Sequence, residues 1–189
     1  MSFCFALYAF SITFVAIACK KTKPTMARIF IAIRFGDEVK KALVALQNAL
    51  RAEGVEGNYC AWGNLHMTLA FIGERYDLTT IRQAVSEVRF EPFTMTLGPL
   101  GTFPTKVGVI WCGVSDGEAV TALANQLRER LTAHGVAYSA MPFLPHISLV
   151  QRPSRIVTHL PAPQVAIPVE RIYVMKSERI DGQLVYSEI

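Results

Sequence analysis

The sequence predicts an α+β fold of two similar lobes, each an antiparallel sheet with helices on its outer face, whose histidine-bearing strands line a shared central groove. Three observations predict it. A short pattern occurs twice, as His66-Met67-Thr68-Leu69 and as His146-Ile147-Ser148-Leu149. Strand-like and helix-like stretches alternate from residue 26 onward. A division between Pro99 and Lys106 splits that alternation into two parts of similar order: strand, helix, histidine strand and helix, then strand, helix, histidine strand and further strands.

Taken in order, Arg28 to Phe35 reads as a strand, and Gly36-Asp37 opens a helix whose apolar positions Val39, Leu43, Leu46 and Leu50 follow helical spacing up to Gly54. Cys60-Ala61-Trp62 leads into the first histidine strand, which Gly73 closes, and a loop runs on to Asp77. A second helix carries the stripe Leu78, Ile81, Val85 and Val88. Phe93 to Leu97 alternates as a strand, Gly98 to Pro104 reads as a loop, and Val107 to Val114 as a largely apolar strand. Ser115-Asp116-Gly117-Glu118 opens a third helix with Val120, Leu123, Leu127 and Leu131, stopped by Gly135. After the second histidine strand, Pro161-Ala162-Pro163 is a connector. Val165 to Ile167, Arg171 to Met175 and Leu184 to Tyr186 are strands, the last two joined by an Asp181-Gly182 turn.

Side chains alternate across a strand, so each motif sets an imidazole and a hydroxyl side by side on one face, with Met67 and Leu69, or Ile147 and Leu149, turned into the core. One such pattern on an amphipathic strand marks no more than polar residues on the wet side. Two copies, 80 positions apart, in the same apolar frame and using two of only four histidines, mark a function. Histidine changes charge near neutral pH, so a neutral copy can take a proton while a cationic copy gives one. Phosphodiester cleavage fits that pairing: the base activates water or a hydroxyl, the acid protonates the leaving oxygen, and hydroxyl donors stabilise the phosphoryl oxygens. A strained cyclic phosphate needs little more, and this set requires no metal and no cofactor.

Composition bounds the alternatives. The 189 residues suit one domain with a substantial core, and 51% hydrophobic with 18% charged residues describes a globular chain. Of the net charge of +4, Lys20, Lys21 and Lys23 supply three within an acid-free segment of 25 residues, which leaves +1 for the rest. That is no general nucleic-acid footprint, so any polyanion contact is local to the site. Cys4, Cys19, Cys60 and Cys112 form no metal-type spacing, and reduced thiols in a cytoplasmic setting are expected.

Residues 1–25 form an apolar N-terminal extension, uncharged from Ser2 to Cys19. A signal would need a positive n-region, and an anchor of this length is short and would leave the domain in the cytoplasm. The favoured reading is a start at Met26, with residues 26–189 as the two-lobed domain, no stable membrane association for that domain, and a monomer.

The paired motifs resemble the two signatures of the two-histidine phosphoesterase superfamily. Trp62, Asn64-Leu65, Ala70-Phe71-Ile72-Gly73-Glu74 and Pro142-Phe143-Leu144-Pro145 around them resemble the bacterial and archaeal RNA 2′,3′-cyclic phosphodiesterases, also called 2′-5′ RNA ligases. The resemblance runs from Met26 to the C-terminus. It implies hydrolysis of a terminal 2′,3′-cyclic phosphate on RNA or a nucleotide to a 2′-phosphate, with the related 2′-5′ joining reaction when a 5′-hydroxyl replaces water. It implies His66 and His146 as acid and base, His146 being preferred for activating water, and Thr68 and Ser148 as phosphate-binding. Where family members often carry an arginine five places after the second histidine, this chain has Gln151, with Arg152 next. Arg152 serves only if a bulge or the strand end re-aims it.

Lys106 is a further candidate for a phosphate or RNA contact and Phe103 for stacking on a base. His134 and His159 lack the motif frame and read as surface residues, and Cys60 and Cys112 as buried thiols. Two rivals stand beside catalysis. A metal site on the two histidines lacks a near carboxylate or third ligand. A non-catalytic module gripping RNA ends or a nucleotide would bind a cyclic phosphate without converting it.

Overall fold

The computed structural model describes residues 28–74, 77–103 and 108–189. The N-terminal extension 1–25 lies outside them. The first strand, β1 (Arg28–Arg34), is a continuous apolar run rather than an alternating one because it is covered on both faces. Ile29, Ile31 and Ile33 join the main core, while Phe30 and Ala32 pack with Met175 on the other side. The helix α1 (Asp37–Ala52) buries the expected stripe Val39, Leu43, Leu46 and Leu50, and Gly54 ends it in the left-handed region with φ 73°.

A short strand β2 (Asn58–Tyr59) and a 3₁₀ turn (Trp62–Asn64) lead into β3 (His66–Glu74). Asp77 then caps α2 (Leu78–Ser86), accepting from the backbone N–H groups of Thr79 and Thr80. There follow β4 (Phe93–Thr102), β5 (Val109–Val114), α3 (Glu118–Ala133), β6 (Ile147–Gln151), β7 (Ala166–Val169), β8 (Tyr173–Ile180) and β9 (Gln183–Glu188). All pairings are antiparallel, in two sheets ordered β3-β1-β8-β9 and β2-β6-β5-β4-β7. Asp181 and Gly182, both at positive φ, make the hairpin turn between β8 and β9.

Two expectations need correction. The stretch from Gly98 belongs to β4 through Thr102 instead of forming a loop. Its pairing with β5 shifts register between Leu97 and Leu100, so exposed Pro99, which has no N–H to donate, sits at a bulge. A Cβ on Gly98 would meet the Val114 backbone at 2.7 Å, so only glycine allows this approach. Nor are the lobes the two halves of the chain. The β8–β9 hairpin returns to the first sheet, where α3 also packs beside α2 and Arg128 Nε donates to Leu69 O at 3.3 Å. Conversely α1 lies on the second sheet, against β6. Each lobe is built from both halves because each sheet buries whichever apolar stripe reaches it. No helix among the described residues is long and apolar enough to cross a membrane.

Candidate active site

The two sheets meet where β3 lies beside β6, which brings the histidine motifs together. In β3, Met67 and Leu69 are wholly buried, leaving His66 and Thr68 half-buried on the opposite face. His66 Nδ1–H donates to Asn64 O at 2.7 Å, which fixes the tautomer and leaves Nε2 to face Thr68 Oγ at 2.9 Å. In neutral imidazole that Nε2 accepts the threonine proton. The second motif repeats the arrangement: His146 Nδ1–H donates to Leu144 O at 2.7 Å, with Ile147 and Leu149 buried and Ser148 half-buried. Among the described residues, His146 Nε2 has no hydrogen-bond partner.

Each imidazole is held by two aromatic rings. His66 lies 4.9 Å from Phe30 and 5.2 Å from Tyr186, centroid to centroid. His146 meets Phe103 edge to face at 4.7 Å and Trp111 at 6.2 Å. Trp111 fits because its β4 neighbour is Gly101, where a Cβ would strike the indole at 2.2 Å. These apolar walls disfavour the imidazolium, so burial holds both histidines below the ordinary 6.5. The Asn64 and Leu144 carbonyls partly oppose this, and proximity to His146 lowers His66 further.

A groove of about 550 Å³ opens over His66, lined among others by Phe30, Phe71, Arg28, Arg152, Arg179 and Tyr186. Phe71 is unexpected there, since strict alternation would place it opposite His66. The pairing of β3 with β1 shifts register between Ile31 and Ala32, which makes Leu69 an extra residue between Thr68 and Ala70, so Phe71 pairs with Phe30 and emerges on the groove face, 43% exposed. No period-2 signal could have shown this. Phe30 and Tyr186 were legible only as strand aromatics.

Arg152 lies just past β6 with φ 53°, a left-handed residue that breaks the alternation and brings Arg152 to the groove wall. Phe103 packs against His146 and Trp111. Lys106 lies outside the described residues. His134 pairs with Glu87 at 2.9 Å at the end of α3, and His159 stands 4.0 Å from Glu53, both away from the groove. Cys60 and Cys112 are free thiols pushed up by burial to about 11 and about 12. No group of three or more His, Cys, Asp or Glu among the described residues is placed to hold a metal ion.

Beneath the site, Gln47 of α1 donates to Cys60 O at 2.8 Å and to Leu149 O at 3.1 Å. It thereby ties the approach to the first motif to the strand of the second. A single glutamine in a helical stripe carries no sequence signal of such a role.

The sequence profile of the 2′-5′ RNA ligase superfamily matches residues 48–181. A curated protein of Thermotoga maritima named RNA 2′,3′-cyclic phosphodiesterase is 27% identical over 167 residues, covering 79% of this chain and 86% of that protein. A protein of the same name from Escherichia coli is 32% identical over 139 residues, 72% of this chain and 77% of its own length. Among solved structures, E. coli LigT complexed with 3′-AMP superposes with a TM-score of 0.74 at 26% identity, over 86% of this chain and 94% of that one.

Proposed function

The chain belongs to the 2′-5′ RNA ligase superfamily, and from that premise we propose that it is an RNA 2′,3′-cyclic phosphodiesterase that opens a terminal cyclic phosphate to a 2′-phosphate without a metal. The observation that carries this reading is the pair of imidazoles, each with Nδ1–H held by a carbonyl two residues earlier so that Nε2 is the nitrogen left for proton transfer, in His66 beside the Thr68 hydroxyl.

The asymmetry between the motifs supports one division of roles. His146 Nε2 has no partner among the described residues and, with its pKa lowered, is neutral at pH 7, so it takes the proton of an attacking water. The water oxygen bonds to phosphorus and the P–O3′ bond breaks. His66, protonated, gives its proton to O3′, leaving a 3′-hydroxyl and a 2′-phosphate. The anionic substrate offsets the burial that otherwise disfavours the His66 cation. Protonation also frees Thr68: its hydroxyl no longer spends its proton on Nε2 and donates to a phosphoryl oxygen instead, beside Ser148. Arg152 supplies positive charge at the groove wall, and the exposed ring of Phe71 offers a stacking face for the terminal base. A 5′-hydroxyl in place of the water gives the 2′-5′ joining reaction with the same groups.

The free thiols Cys60 and Cys112 suit a reducing, cytoplasmic setting, and a site built within one chain is compatible with action as a monomer. The test is to incubate the protein, with EDTA, with a short RNA ending in a 2′,3′-cyclic phosphate, alongside a His66→Ala, His146→Ala variant. Formation of the 2′-phosphate by the wild type alone is expected. Binding without conversion would return the reading to a non-catalytic RNA-end module, and loss of turnover in EDTA would overturn metal independence.

A further inference from the structure

The groove extends beyond what a single cyclic nucleotide at His66 requires, and its far wall is cationic. In β1, Phe30 touches the His66 ring, and Arg28, two residues away on the same face, stands roughly 7 Å further along the strand. Arg28 pairs in register with Ser177 of β8, and Arg179 follows two places on, so all three present one face to the groove that His66 lines. The nearby acids offset this charge only in part: Glu178 pairs with Lys176 at 2.8 Å and Glu74 with Arg28 at 4.0 Å, so Arg28, Lys176 and Arg179 stand against two carboxylates and one positive charge is left over. Arg179 spends one N–H on Gly182 O at 3.0 Å and has no other partner among the described residues. At the opposite end of the sheet, Arg34 and Arg171 flank Tyr173 over a smaller recess of about 150 Å³, but Arg34 is bound to Glu188 at 3.0 Å and Glu170 shares the recess. That end is close to neutral, so a polyanion leaves His66 toward Arg28 and Arg179.

We propose that Arg28, Ser177 and Arg179 form a second anion subsite, which takes the phosphodiester 5′ to the terminal nucleotide and makes an oligonucleotide the preferred substrate over a mononucleotide. This rests on the proposed function and adds the residues that read the chain behind the reacting end. Guanidinium groups suit it because they meet phosphate oxygens with two parallel donors. Stacking on Phe71 would hold the terminal base between the two anionic positions.

The experiment measures the affinity of two dinucleotides ending in a 2′-phosphate, identical except that one carries the natural phosphodiester and the other an uncharged methylphosphonate. The wild type is expected to bind the phosphodiester about ten-fold more tightly, a typical effect for a charge-assisted contact. Arg28→Gln and Arg179→Gln, each checked for folding by its melting temperature, are expected to erase most of that difference. Equal affinities in the wild type, or a difference that persists in both variants, would overturn the subsite. Hydrolysis of a cyclic-phosphate dinucleotide is measured in parallel. Turnover without a linkage effect removes the subsite alone, while a linkage effect without turnover removes the enzymatic reading and keeps the subsite.

Discussion

Replacing Gln47 by Met tests how firmly the two histidine motifs are tied together. Gln47 is only 3% exposed, the sole buried polar side chain of the core among the described residues. Its amide donates to Cys60 O and Leu149 O, at 2.8 and 3.1 Å. Leu149 adjoins Ser148, and Cys60 begins the turn that presents the Asn64 carbonyl to His66. Methionine has a similar length, so the substitution leaves little cavity and isolates the hydrogen bonds. Leu149 O keeps the Cys60 N–H at 2.9 Å, whereas Cys60 O loses the Gln47 donor in a shielded place, at a cost of about 1–3 kcal/mol. In a chain of this size each kcal/mol moves Tm by about 2–4 °C, so the Tm followed by circular dichroism should fall by roughly 2–12 °C. Misplacement of the two motifs should lower kcat by roughly ten-fold. A Tm within about one degree of the wild type together with unchanged kcat would refute the reasoning.

Four further outcomes are expected. Both imidazoles lie below the ordinary 6.5 when folded, so acidification protonates the unfolded chain first; stability present above that pH is lost as pH falls below it toward the lowered folded values. For the same reason the pH profile of kcat/KM, which reports the free protein, should peak on the acid side of 6.5, while kcat peaks at higher pH because bound phosphate favours the His66 cation; coincident optima above 6.5 would contradict the burial argument. Phe71→Ala should raise KM for a cyclic-phosphate nucleotide by about 5- to 100-fold, the worth of one base stack, with a smaller change in kcat, and a fall in kcat at constant KM would exclude the stacking face. Gly101→Ala drives a methyl into the Trp111 indole behind His146, and overpacking of this kind costs about 1–3 kcal/mol. Gly113→Ala meets the Pro99 carbonyl at 3.2 Å and Trp111 only at 3.3 Å, so a loss of turnover in Gly113→Ala equal to that in Gly101→Ala would show that the indole does not transmit the strain.

The chemistry was legible before the fold because it depends on local repeats. A period of two is enough to place His66 with Thr68 and to bury Met67 and Leu69, and the helical stripes of α1 and α3 follow from spacing alone. The first strand, the capped start of α2 and the Asp181-Gly182 turn are likewise short-range decisions of backbone sterics and hydrophobic pattern. What failed was the extent of β4, since Gly98 and Pro99 are punctuation in most contexts and here form a bulge within a paired strand.

The amino-acid sequence by itself determined the two histidine–hydroxyl faces, the α+β class and the chemistry they allow, because side-chain alternation and helix periodicity are properties of neighbouring residues. Only the tertiary structure decided which elements share a lobe, since β8 and β9 return from the end of the chain to flank β1, and α1 crosses to cover β6. It also decided that Phe71 faces the groove through a register shift in β3, that Arg152 turns inward at φ 53°, and that Gln47 ties the motifs together. The physical reason is the same in each case: these placements come from pairing register and packing between segments far apart in the chain, and no local periodicity encodes them.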